Sequence, residues 1–401
     1  MSNPDREFPP EALTEAGKIA EFSDGYEDIT GCEAFAVDDP EIADPDDAIS
    51  IQTSGKFYRL GVHISLVSWF VSKGSALDTE AMERAVSIYI PGKNTYMFPE
   101  GLIRERLSLS DQRTSPVLSL FADLDDDGTL SRVEMKLGRL RLSARFTYQD
   151  LTRLLRSEPR MRQLYSLSVA LAERRAMSGG NLIPIPYLKA YETSEGMVFE
   201  RIDPESPEQV MITEPMILYN HIVSKFLANA EVPGAFRHQS EPHGRPPSPR
   251  NPLYPVKALY ALKKSHLSPD PKPHKGLGFS SYLQATSPLR RFTDLINQRQ
   301  ARALLEGKEP PYTGEELETI LPELEIRETD ARRTQREALR ATVIAHLEDK
   351  TLLGVVSNRR KGGLVFLPDY VLQVPLGEET EGMKEGLKLR VKIKNGKAYR
   401  A

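Results

Sequence analysis

Ala36-Val37-Asp38-Asp39-Pro40-Glu41-Ile42-Ala43-Asp44-Pro45-Asp46-Asp47-Ala48-Ile49 holds five aspartates within ten positions, 38–47, bracketed by apolar residues of strand-like character. Like charges this close repel one another, and the repulsion is costly unless a cation neutralises it. Carboxylate oxygens are the ligands of Mg2+ and Mn2+. Two such ions about 4 Å apart can activate a water and stabilise the leaving oxygen of a phosphodiester. On spacing alone, a metal site and a solvated acidic loop both remain open.

Beyond the cluster, Ile49 and Ile51, then Tyr58, Leu60, Val62 and Ile64, follow a strand pattern, with Thr53-Ser54-Gly55 as the turn between two strands. Residues 115–123 and 129–137 alternate in the same way. Residues 9–20 and 77–85 read as helices, and from about residue 147 the period becomes helical. Met216, Tyr219, Val223, Phe226 and Leu227 predict an amphipathic helix over 215–230. Residues 239–256 and 267–275, rich in Pro, Ser and charge, read as exposed loops. Helices resume over 255–265, 288–306 and 315–348. After Thr351 short strands return, separated by Gly, Asn and Pro, which suggests a small appended β-barrel. The expected fold is α+β, with a catalytic domain over 1–348 and an accessory barrel over 349–401.

Composition bounds the rest. The chain has 401 residues, 39% of them hydrophobic, enough for a sizeable core. Its single cysteine, Cys32, excludes an internal disulfide and points to a reducing cytoplasm. No signal peptide opens the sequence, and no window approaches the about 18 apolar residues of a membrane span. The formal net charge of −4 weighs against a nucleic-acid binder. A basic channel inside an acidic shell would reconcile the two.

The aspartate spacing resembles the signature of the RNase II/RNase R (RNB) family, an aspartate followed after five residues by D-x-D-D. Asp38, Asp44, Asp46 and Asp47 reproduce it, and Asp39 is extra. The resemblance extends through Val62-His63-Ile64 to Ser68, Gly74 to Asp78, and Ser87-Ile88-Tyr89-Ile90-Pro91 to Pro99-Glu100. It continues in Thr286-Ser287-Pro288-Leu289-Arg290-Arg291-Phe292 with Asp294-Leu295, similar to the family's T-S-P-I-R-R-Y-x-D-L. It implies an RNB-type catalytic domain of mixed β-sheets surrounded by helices, a closed RNA channel, and a small C-terminal OB-like barrel. It implies that Asp38 and Asp47 hold a divalent metal and that Asp44 and Asp46 complete the site, with Asp46 needed for the chemical step. The implied cofactor is Mg2+, with Mn2+ as the alternative.

Other residues have readings of their own. The guanidinium of Arg290 can fork onto phosphate, and Pro288 suits the first turn of a helix, whose N-terminus favours anions. The resemblance implies that Arg290 contacts the RNA backbone at the active site. Arg291 is a second RNA-binding candidate, or a structural residue. Tyr89 can stack on a terminal base, as the family's aromatic clamp implies, or pack as a strand tyrosine. Tyr282 reads as core first, and His63 as a satisfied core histidine. Asn220 matches a family position without an assigned chemistry. Asp123, Asp125, Asp127, Gly128 and Glu134 satisfy the EF-hand pattern, but their strand-like flanks make them a hairpin turn. In the last strands Lys388, Arg390, Lys392 and Lys394 face opposite to Leu387, Leu389, Val391 and Ile393, a basic face suited to RNA; Arg359, Arg360 and Lys361 add charge nearby. A solvated edge strand is the alternative.

The sequence also departs from the family. Leu66 stands in place of an aspartate, Gln298 in place of a histidine, and Gln335 in place of the glutamate of A-E-R, with Glu337 close by. The sequence begins at the expected catalytic domain, so the family's N-terminal cold-shock barrels are expected either to be absent or to lie in a part of the protein that precedes this sequence. The expected protein is a monomeric, cytoplasmic 3′→5′ exoribonuclease that hydrolyses single-stranded RNA to nucleoside 5′-monophosphates. The alternatives are a family member whose site has decayed to RNA binding, and a metal phosphatase for small esters.

Overall fold

The computed structural model describes residues 6–23, 25–39, 45–55, 57–244, 247–358, 363–377 and 383–401. Asp44, Arg359, Arg360 and Lys361 lie outside them. The central sheet is built from β1 (Glu27–Asp28), β2 (Phe35–Val37), β3 (Asp47–Ser54), β4 (Phe57–Ser65), β7 (Ser115–Leu124), β8 (Leu130–Leu140) and β9 (Ala144–Phe146), with the hairpin β5 (Ile88–Ile90) and β6 (Lys93–Thr95) apart from it. Its order is β1-β8-β7-β4-β3-β2-β9. The outer pairs β1–β8 and β2–β9 are parallel and the rest antiparallel, so the sheet is mixed.

Alternation along β4 decides its two faces. Leu60, Val62 and Ile64 lie on the face covered by helices Tyr148–Ser157, Pro159–Met177 and Pro207–Asn229, which contribute Leu151, Leu164, Leu167, Tyr219, Val223 and Leu227 to the core. Gly61, His63 and Ser65 face the other way. His63 is fully buried there between Ser50 Oγ and Ser119 Oγ, each 2.9 Å from a ring nitrogen. Burial pulls its pKa down to about 3, so it is the neutral core histidine its strand suggests. The acidic turn after β7 is a β-hairpin, closed by the Gly128 amide on the Asp125 carbonyl, and not a calcium loop between helices.

Two helices begin elsewhere than the sequence implies. The Pro207–Asn229 helix starts well before residue 215 and runs through Pro215. Losing one backbone bond there is offset by burying Met211 and Ile212 and by the buried Arg175–Glu214 pair at 2.5 Å. The other starts at Phe292 and runs to Leu305, so Pro288 lies outside its first turn. Asp294 accounts for this: its carboxylate accepts from the Ser287 amide and binds Arg291, filling the helix start that was expected to face an anion.

β10 (Tyr187–Thr193) and β11 (Gly196–Ile202) form a separate hairpin, and β12 (Phe236–His238) pairs with β13 (His266–Ser268). The helix Gly314–Leu347 ends three residues before β14 (Thr351–Asn358). With β15 (Leu364–Leu367), β16 (Leu372–Pro375), β17 (Lys388–Lys394) and β18 (Lys397–Arg400) it makes an antiparallel sheet of order β16-β15-β14-β17-β18. Its edges approach in one bridge, Leu376 to Ala398. The expected closed barrel is not seen among the described residues: β16 and β18 are four residues each, and Pro375 has no N–H to extend a ladder. Val343 and Leu347 of the preceding helix sit in this sheet's core. No described helix is long and apolar enough to cross a membrane.

Candidate functional site

Asp47 opens β3 and by alternation shares the helix-covered face with Ile49 and Ile51, whereas Asp46 precedes the strand. Asp46 is buried, with Oδ1 accepting from the Leu289 amide at 2.9 Å and Oδ2 lying 3.1 Å from Arg290 Nε. The Thr286–Phe292 segment is thus anchored to the aspartate cluster across most of the chain. It is also stitched to the strand leading into β5, through Ser87 N to Arg290 O at 3.0 Å and Phe292 N to Ala85 O at 2.8 Å. Tyr89 follows Ser87 by two residues, so one backbone contact sets the spacing of arginine and tyrosine.

These residues open onto two adjoining cavities. One of about 390 Å³ is lined by Asp38, Asp39, Asp47, Tyr148, Lys189, Asn220, Tyr282, Arg290 and Arg291. The other, about 660 Å³, is lined by Asp39, Tyr89, Tyr187, Lys189, Arg290, Gln335 and Arg336. Arg290 belongs to both and keeps 42% of its side-chain surface accessible despite its ion pair. Burial works against its charge, but Asp46, Tyr89, Asp47 and Asp38 more than offset that and raise its pKa. Asp47 is in the opposite position. Burial pushes its carboxyl up to about 6, with only partial relief from Arg290 and Arg291.

Arg291 lines the smaller cavity, but its guanidinium forks onto the fully buried Asp294, Nε–Oδ1 2.8 Å and an Nη–Oδ2 contact of 2.6 Å. Tyr282 is buried and its hydroxyl accepts from Asn220 Nδ2 at 3.1 Å, so it packs as core while contributing to the cavity wall. Gln335 is on the wall of the larger cavity; Glu337 is exposed and does not line it. Gln298 clips strand to helix, accepting from Ser68 N at 3.0 Å and donating to Ser65 O at 2.7 Å. Leu66 is buried core. Lys388 and Arg390 are exposed on β17, and Lys392 pairs with Asp349 at 2.9 Å.

Sequence reasoning passed over Lys189. Its Nζ lies 2.8 Å from both carboxylate oxygens of Asp39 and 4.8 Å above the Tyr148 ring, on the walls of both cavities. No motif announces it. The extra aspartate beside Asp38 was the one available signal.

The donors suit a hard divalent cation in kind: Asp38 and Asp47 offer carboxylate oxygens to one cavity, and Asp47 is a half-buried carboxyl with no ion-pair partner among the described residues. No group of three or more such side chains converges among the described residues. The fourth aspartate, Asp44, is not among them.

The fold is thus a mixed-sheet α+β domain that brings an acidic cluster and an arginine to one pair of cavities. The RNB domain model matches residues 26–248 and 245–307, and the chain belongs to that family. An uncharacterised ribonuclease from Synechocystis is 26% identical over 394 residues, covering 93% of this chain and 58% of the relative. The chain spans about half the length of the curated relatives it matches. RNase R from Mycoplasma genitalium, solved with ribose-methylated single-stranded RNA, superposes with a TM-score of 0.84 at 18% identity, over 98% of this chain and 75% of that one. A yeast protein described as a pseudonuclease superposes at 0.71 with 15% identity, over 91% and 51%. At these identities the structural likenesses concern the fold.

Proposed function

We propose that this chain is a metal-dependent 3′→5′ exoribonuclease that hydrolyses single-stranded RNA to nucleoside 5′-monophosphates. One observation carries the reading: Asp38, Asp47 and Arg290 line a single cavity while Asp46 holds the arginine in place. Asp38 and Asp47, with Asp46 and Asp44, would hold one or two Mg2+ or Mn2+ ions, which supply water activation and charge stabilisation at the departing oxygen. Arg290 grips a phosphate beside the scissile bond, and Asp46 fixes its approach. Tyr89, in the outer cavity, stacks on a base near the 3′ end, a contact of about 1–3 kcal/mol that tolerates any sequence. Lys189 adds a second cation to the path of the backbone. The β17 face with Lys388 and Arg390 offers further phosphate contacts in an OB-like manner.

The test is a time course on 5′-labelled single-stranded RNA, with Mg2+ or EDTA, beside the same sequence as DNA. Metal-dependent collapse of the RNA to a short 5′ fragment supports the reading. Asp46→Asn should lower cleavage at least about 100-fold while RNA affinity changes little. Retained turnover with lost binding would contradict the assignment.

Gln335 favours a second reading, an RNB-type protein that binds RNA without cutting it, since an amide faces the cavity where the family resemblance implies a carboxylate. Tight RNA binding with no cleavage in Mg2+ or Mn2+ supports this reading. Cleavage gained in Gln335→Glu would tie the loss to that position.

A further inference from the structure

Residues 247–275 carry six lysines and arginines against one aspartate, within a chain of net charge −4. Their centre is the helix Tyr254–Ala261. Tyr254, Ala258 and Ala261 seat it against Ile183 and Ile185. Leu253 and Val256 attach the same region to Val355 and Phe366 of the C-terminal sheet. Another part of the helix is bare: Leu259 is 60% exposed and Tyr260 is 72% exposed.

Cations frame these two side chains. Lys257 precedes Tyr260 by three residues, on the same helix face. Lys263 and Lys264 follow the helix. Gln239 brings Lys272 into the same neighbourhood, because its side-chain amide donates to the Lys263 carbonyl at 2.6 Å and its backbone amide donates to Pro273 O at 3.1 Å. Lys257 pairs with Glu385 at 2.5 Å and Lys264 with Glu325 at 3.0 Å. Among the described residues no carboxylate pairs with Lys263 or Lys272. The helix's buried side is linked along the chain to the cavities. Ile185, packed on this helix, is two residues from Tyr187 on the wall of both, a reach of roughly 7 Å in extended chain.

We propose that this surface is a second contact for single-stranded RNA. Tyr260 acts as a stacking platform and Lys263 and Lys272 meet phosphates, holding the strand upstream of the part that enters the cavities. An exposed aromatic among spaced cations matches a flexible polyanion whose every base has a π-face. A membrane would call for a longer apolar face. The inference rests on the RNA reading above and adds a surface to it.

The experiment measures binding of two oligoribonucleotides, about 5 and about 25 nucleotides long, in EDTA so that neither is cut. It compares the full chain with the triple variant Tyr260→Ala, Lys263→Ser and Lys272→Ser, after circular dichroism has shown equal melting. The expected result is unchanged affinity for the short RNA and a loss of at least about fivefold for the long one. The salt dependence of long-RNA binding should flatten by about 1.4 in log–log slope, for two phosphate contacts on a single strand. Equal long-RNA affinity and slope in both proteins would overturn the proposal, as would a wild-type chain that gains nothing from the longer RNA. If the wild-type chain binds neither RNA, the RNA reading itself fails and this inference falls with it. If the variant unfolds, Tyr260→Ala alone carries the test with the same two outcomes.

Discussion

Asp47 carries its own pH signature. An unperturbed aspartate titrates near 4, and burial holds this one at about 6. Between those values the folded chain keeps a proton that the unfolded chain has released. The stability tied to this group is therefore complete below about 4 and is lost as pH rises through about 6. Above that, the metal-free protein carries a partly desolvated charge with partial compensation. Asp47→Asn should stabilise the metal-free chain by about 1–2 kcal/mol at about pH 8 and by little at about pH 4. Thermal melts in EDTA at both values check it, and an equal shift at the two pH values would sink the idea. The same substitution should weaken divalent-ion binding, read by calorimetry. The cluster was legible in the sequence because so many like charges at short spacing are conspicuous without a fold. Lys189 was not, because its meaning comes only from a hairpin that carries it to Asp39.

Gly61 shows the same dependence on context at the scale of the element. It sits in β4 between Ser50 on β3 and Phe121 on β7. A Cβ there would lie 2.3 Å from Ser50 Oγ and 2.7 Å from His63 Nε2. Neither atom is free to yield, since both are fully or nearly buried and bonded to each other. Gly61→Ala should cost about 2–3 kcal/mol, as overpacking does in a filled core. Urea unfolding measures it, and a loss below about 0.5 kcal/mol would mean that the sheet can open there. The strands around Gly61 were readable because one face is buried and the residues alternate. The β10–β11 hairpin was not: along most of it consecutive residues are half-buried on both faces, so alternation leaves no trace. The start of the Phe292–Leu305 helix was misread for a different reason. Pro288 is one signal, and it is overridden by Asp294, which clamps Ser287 and Arg291, and by the distant Asp46, which holds the Leu289 amide.

At the scale of the whole molecule, the net charge of −4 conceals a division of labour. Anions and cations meet in the cavity walls, where Asp38, Asp39 and Asp47 stand beside Lys189, Arg290 and Arg291, while further cations lie on β17. Split alternation was enough to foresee β17, where Val391 and Ile393 go inward and Lys388 and Arg390 outward. The closed barrel expected from the same strands is not seen among the described residues, because closure turns on edge strands too short to carry a periodicity. If the β17 face meets RNA, its three cations are not equivalent. Lys388 and Arg390 are exposed, whereas Lys392 is engaged by Asp349. The pair Lys388→Glu and Arg390→Glu should therefore weaken binding of single-stranded RNA and flatten its salt dependence by about 1.4 in log–log slope. Lys392→Ala should leave the slope within about 0.2 of wild type and change stability by less than about 1 kcal/mol, the range of a surface ion pair. Fluorescence anisotropy across a salt series in EDTA separates the two. A flat response in the double variant, or an equal loss in Lys392→Ala, would assign the charge on this strand to solvation of an edge and not to RNA.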